Sequence, residues 1–152
     1  MQRGFERLVV PVAGSDIDTR VLDILPDLVR KDGAMVTFLY VVEVPQSMPL
    51  DAELPGEIEE GEQALRHAEH VARQALPARS AHIVTELLQA RAVGPAIVDE
   101  AIEREADAIL MTASIHRKHG RDSLGETTNY VLLNAQCEVV VIRTAPNDAA
   151  AR

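Results

Sequence analysis

The chain has 152 residues, 47% apolar and 26% charged, the composition of an ordinary globular protein and the length of one domain with a full core. Aromatic residues are limited to Phe5, Phe38, Tyr40 and Tyr130 with no Trp, so the core must be aliphatic. Fifteen Lys and Arg against 24 Asp and Glu give a net charge of -9, which leaves no basic footprint for nucleic acid or for anionic lipid.

Short β-branched runs alternate along the chain with longer segments of helical periodicity. Arg7 to Val12 reads as the first strand. The turn Ala13 to Asp16 offers side-chain caps to a helix with Ile17, Val21, Ile24, Leu25 and Leu28 on one face, running to about Lys31 before Asp32-Gly33 stops it. Pro26 inside that helix implies a bend. Ala34 to Val42 is a near-continuously apolar second strand, as strands covered on both faces are. Residues 43–56 contain Pro45, Pro49, Pro55 and Gly56, a long loop of the kind that usually forms a lid or stays disordered. From Glu43 to Glu62 there are seven acids and no base, read either as a solvated loop and helix start or as a docking surface for a basic partner.

A second helix spans about Glu57 to Leu76, and Ala81 to Leu88 is a third strand. Gly94-Pro95 opens a helix that continues to Glu105, and Asp107 to Met111 is the fourth strand. After a polar loop come a helix from about Leu124 to Ala135, a fifth strand from Glu138 to Arg143, and a small polar tail from Thr144 to Arg152 expected to be disordered. Five strands and four helices in strict alternation predict an α/β fold: an open, doubly wound, parallel five-stranded sheet of flavodoxin/Rossmann-like type, in one domain ordered over about 6–144. Ligands of such sheets bind beyond the carboxyl ends of the strands where strand order reverses. That singles out the loops Ala13 to Asp16 and Thr112 to Ser123.

The second of these loops is a basic island, with Arg117, Lys118 and Arg121 beside His116 and His119, just ahead of a helix N-terminus able to hold a phosphate. The other reading is a solvated run paired with the domain's own acids. Ser123-Leu124-Gly125-Glu126 reads as a capping box, which places the Glu126 carboxylate where a phosphate would sit and leaves the Thr127 and Thr128 hydroxyls as donors.

Val9 to Asp16, Tyr40-Val41-Val42, Ala101 to Met111 and above all Gly125 to Arg143 resemble the universal stress protein family over about residues 7–143. Gln136 replaces a proline usual there. The resemblance implies an adenine-nucleotide-hydrolase-like fold. Nucleotide-binding members carry Gly-x2-Gly-x9-Gly-Ser/Thr after the fourth strand and an Asp at the first turn. In register stand Thr112, Ile115, Gly125 and Glu126, with Ala13 at the Asp, so only Gly125 matches. A backbone that wraps phosphates needs unhindered approach and open dihedrals, which Thr112 and Ile115 resist. The candidate nucleotide or anion site is then Pro11, Val12, Ala13, Val41, Met111, Thr112, Ser114, Arg117, Gly125, Glu126, Thr127 and Thr128. The resemblance also implies dimerisation through the last strand, with Val139, Val141 and Arg143 on that edge. The Gly-Glu-Thr-Thr-x-Tyr-Val-Leu form is similar to universal stress domains appended to amino-acid permeases.

Other chemistries lack parts. Ser15, His116 and Asp16 have no Gly-x-Ser-x-Gly elbow to make a hydrolase of them. His67 and His70, three apart on a helix, have no carboxylate-histidine constellation to complete a metal site. A phosphoacceptor domain would need acids where Ala13-Gly14 stand. Cys137 excludes an intrachain disulfide or a multi-thiolate metal centre, and reads as a small core residue in a reducing cytoplasm. No apolar run reaches the ~18 residues of a membrane span, nor is there a signal-peptide core. The expectation is a cytoplasmic, non-catalytic, homodimeric regulatory module with no cofactor, no metal, no nucleic acid and no direct membrane insertion, serving a protein partner or a transporter. The alternative is an ATP/ADP-binding stress-response switch using the loop after the fourth strand.

Overall fold

In the computed structural model, which describes residues 4–78 and 81–145, the chain runs β1 (Arg7–Pro11), α1 (Ile17–Leu28), β2 (Ala34–Glu43), α2 (Pro55–Ala75), β3 (Ala81–Ala90), α3 (Val93–Glu103), β4 (Ala108–Ala113), β5 (His116–Lys118), β6 (Arg121–Ser123), α4 (Glu126–Asn134) and β7 (Glu138–Arg143). The main sheet has the order β3-β2-β1-β4-β7 with every pair parallel. The expected five-stranded α/β sheet is therefore present. β5 and β6 form a separate antiparallel pair within the loop read as irregular.

Side-chain alternation along the strands sorts the core into two layers. Leu8, Val10, Val36, Phe38 and Leu110 pack with α1 and α2, while Val9, Leu39, Ile109 and Met111 pack with α3 and Val131 of α4. Because β1 is central and covered on both faces, Leu8, Val9 and Val10 are all buried. Phe38 is the one aromatic side chain among the largest fully buried ones, so the core is aliphatic as the composition requires.

Several boundaries differ from the sequence reading. α1 stops at Leu28, two residues after Pro26, because the N-terminal segment takes over the backbone: Phe5 N donates to Leu28 O at 2.7 Å and Arg30 N to Phe5 O at 2.9 Å. α3 ends at Glu103, two residues early, and Glu105 takes φ 53° in the turn to β4. α2 begins earlier than expected, with Pro55 in its first turn, where a missing N–H costs nothing.

The loop 44–54, expected as a lid or as disorder, is tied down. Pairing of β2 with β3 continues to Glu43 and Ala90, and Val44 N donates to Ala90 O. Gln89 Nε2 then donates to the carbonyls of Leu50 and Ala52, and Arg91 Nη1 to those of Pro45 at 2.6 Å and Met48 at 2.7 Å. Within the loop Met48 N donates to Pro45 O and Ala52 N to Pro49 O, so the donors from Gln89 and Arg91 anchor turns that the loop already makes. The tail expected to be disordered falls mostly on residues 146–152, outside the described ones. Among the described residues no helix is long and apolar enough to cross a membrane.

Candidate functional site

Strand order reverses between β1 and β4, so the loops that follow them converge at the carboxyl end of the sheet. The first loop is closed from within. Asp18, 7% exposed, accepts hydrogen bonds from Ala13 N at 2.8 Å and Gly14 N at 2.7 Å, one on each carboxylate oxygen. The caps expected from Ser15 and Asp16 do not form; Asp16 precedes α1 in helical geometry without a side-chain cap. Asp18 escaped the sequence reading because it lies inside the helix. The signal was its carboxylate on the first helical turn, four residues after a glycine with φ 81°.

The second loop is folded as a hairpin. Its strands pair His116 with Ser123, Arg117 with Asp122 and Lys118 with Arg121. His119 and Gly120 make the turn with φ 54° and 74°, the paired positive values of a type I′ connection. An X-Gly pair between two polar runs was the available signal. The hairpin brings the His116 ring back onto α4, where a Cβ added to Gly125 would stand 3.1 Å from its Cδ2. His116 Nε2 also lies 3.4 Å from Ser114 Oγ.

The capping box is absent. Gly125, with φ 87°, precedes α4, no side chain caps the helix, and Gly125 N donates to Ser123 Oγ at 3.4 Å. A glycine in left-handed geometry turns Ser123 away from the amides it would have to reach. Glu126 remains in the first turn, so its charge still sits at the helix N-terminus. Of the two threonines expected as donors, Thr128 is buried at 4% exposure and only Thr127 is half-exposed.

The other expected site residues divide by position. Pro11 ends β1 with Val12 and Ala13 just beyond, Met111 and Thr112 lie on β4 with Ser114 just beyond, and Val41 is on β2 packed against the α3/α4 layer. Met111 and Val12 are buried. Arg117 is exposed on the hairpin, 3.8 Å from Asp122, so part of the basic island is paired with the domain's own acid. Val139, Val141 and Arg143 lie on β7, an edge strand of the sheet. Cys137 is half-buried, and its thiol is pushed up by burial, then by Asp107 and Glu138, which agrees with an unreactive core residue. Among the described residues no group of His, Cys, Asp and Glu could hold a metal ion.

The profile of the universal stress protein family matches residues 4–143. The chain belongs to this family. Universal stress protein MJ0531 of Methanocaldococcus jannaschii is 28% identical over 145 residues, covering 91% of this chain and 82% of the relative. Among solved structures, a universal stress protein of Archaeoglobus fulgidus superposes with a TM-score of 0.70 at 24% identity, over 90% of this chain and 98% of that one. The universal stress protein of the same organism in complex with dAMP gives 0.65 at 22% identity, over 90% and 97%. These likenesses establish the fold. Within it, the universal stress protein described here carries a hairpin and an internally bonded first turn at its switch point.

Proposed function

We propose that this chain is a non-catalytic regulatory module of the universal stress protein family that does not depend on a bound adenine nucleotide. The observation that carries this reading is the β5–β6 hairpin. It occupies the segment in which nucleotide-binding members keep a glycine-rich phosphate loop, and it packs His116 on Gly125. The Ala13 and Gly14 amides, engaged by Asp18, and the Glu126 charge at α4 support it. Its output is control of a protein partner, with a transport protein among the candidates.

A second reading, an adenine-nucleotide switch, draws on relatives solved with dAMP, cAMP and AMP and on the basic hairpin beside α4. One calorimetric titration separates the two. Magnesium-ATP and AMP, each added to the purified chain, are expected to release no saturable heat at tens of micromolar protein; stoichiometric micromolar binding of either would establish the switch instead.

The module is proposed to act as a dimer through β7. Of the two edges, β3 carries the polar side chains of His82, Glu86 and Gln89, which discourage pairing, whereas β7 has an apolar centre of Val139, Val140, Val141 and Ile142. Sedimentation at tens of micromolar is expected to give twice the 16.6 kDa chain mass. A monomer at that concentration contradicts edge pairing.

A further inference from the structure

A cleft of about 630 Å³ opens between the N-terminal halves of α1 and α2, on the face of the sheet opposite to Val41 and Met111. Its volume lies within the range of small-molecule sites, roughly 300–1,000 Å³. The ring of Tyr40 lines it, held against α2 at Gly61 so closely that an added Cβ would fall 2.5 Å from the ring. The acids Asp16, Glu60 and buried Asp18 share the lining with His67 and with the neutral side chains of Ser15, Thr19 and Gln63.

The charge in this cleft is not balanced by the protein itself. No Lys or Arg lines it, and neither helix contains a Lys. All three arginines of the two helices are engaged elsewhere: Arg20 with Asp23 at 2.9 Å, Arg66 with Glu59 at 3.6 Å and Glu62 at 3.9 Å, and Arg73 with Glu69 at 2.8 Å. The side chains of Asp16, Tyr40, Glu60 and His67 have no hydrogen-bond partner among the described residues. The Tyr40 hydroxyl responds to the same field: burial raises it first, then Glu60, Asp18 and Glu57, so it stays a neutral donor and acceptor beside the carboxylates.

Anions are repelled by this lining, and the described residues hold no group able to bind a metal ion. What fits is an extended cation that places an ammonium group near the carboxylates and its alkyl chain against the Tyr40 ring, gaining Coulomb and hydrogen-bond attraction together with apolar contact. We propose that the α1/α2 cleft is a binding site for a small organic ammonium ion, with Glu60 and Asp16 as its charge partners and Tyr40 as its aromatic wall. The site lies apart from the candidate nucleotide residues Val41 and Met111, which face the other layer, and shares Ala13 with that set. It borders the switch point through the loop Ala13 to Asp16, which lines it, and through Asp18, which lines it while holding the Ala13 and Gly14 amides.

The test is an amide-resonance titration of the full chain with putrescine at constant ionic strength. Saturable shifts are expected at residues 13–19, 40 and 60–67. Glu60→Gln, on an exposed helix position that folding does not need, is expected to weaken binding about tenfold, the order expected from losing one charged hydrogen bond. Tyr40→Phe keeps the ring and is expected to weaken it by less. Shifts that do not saturate, that sodium chloride reproduces, that spread over the acidic surface outside the cleft, or that survive Glu60→Gln unchanged would overturn the proposal. AMP in the same titration reads out the nucleotide question through Val41 and Met111 on the opposite layer, while residues 60–67 report the cleft alone.

Discussion

Asp18→Ala is expected to destabilise the domain by about 2–3 kcal/mol, the scale of hydrogen bonds to a charged and buried acceptor. The carboxylate receives two backbone N–H groups, Ala13 at 2.8 Å and Gly14 at 2.7 Å, and is itself 7% exposed. Removing it leaves both amides without their acceptor and hollows the first turn of α1. Ala13 and Gly14 are exposed, so water recovers part of the loss, and this keeps the figure below the sum of two such bonds. Asp18→Asn keeps one acceptor oxygen but turns an NH2 toward an amide donor, so it is expected to cost about half to all of the alanine effect. Thr19→Ala, on the exposed neighbouring position, is the control and should stay within about 0.5 kcal/mol. Urea unfolding of the three variants measures the series. A loss below about 0.5 kcal/mol for Asp18→Ala would mean that the first turn does not depend on this carboxylate.

The architecture was legible because its signals are periodic and redundant. Val9 and Val10 in β1, the apolar run of β2 and the 3.6-residue spacing of Val21, Leu25 and Leu28 each point to the same layered sheet, and burial follows that pattern. Helix ends were less legible because their causes are tertiary. Pro26 warned of trouble in α1, but what ends the helix at Leu28 is Phe5, some twenty residues earlier in the chain. The same holds for loop 44–54: its prolines suggested mobility, whereas Gln89 and Arg91, from the end of β3, supply the donors that fix it.

At the switch point, the sequence located the loops and misjudged their insides. Ser123 and Glu126 have the spacing of a capping box, yet a box needs Ser123 adjacent to the helix in extended geometry. Gly125 at φ 87° stands there instead, and α4 begins at Glu126. Hairpin formation by residues 116–123 is encoded in two residues, His119 and Gly120, among charged side chains that carry no hydrophobic alternation. Tyr40 reads in sequence as one more strand residue. Its role as a cleft wall depends on Gly61, a position whose meaning appears only when α2 is laid on β2.

That contact carries the second large expectation. At Gly61 a Cβ would stand 2.5 Å from Tyr40 Cδ1 and 2.9 Å from Leu87 Cδ1. Gly61→Val offsets part of its own cost, because a glycine in a helix interior is worse than most residues by up to about 1 kcal/mol. Overpacking dominates: the valine methyls extend the overlap beyond Cβ, and α2 must lift from β2 or the ring must rotate into the cleft. A net loss of about 2–3 kcal/mol is expected, at the upper end for small-to-large changes in a packed site. Leu87 offers a movable methyl, but the Tyr40 ring is planar and pinned between strand and helix, so most of the penalty should belong to the ring. In a Tyr40→Ala background the added cost of Gly61→Val is therefore expected to fall below about 1 kcal/mol, which makes the coupling in a double-mutant cycle about 1–2 kcal/mol. Additive losses would place the strain elsewhere, in Leu87 or in the helix backbone, and would detach the shape of the cleft from Gly61.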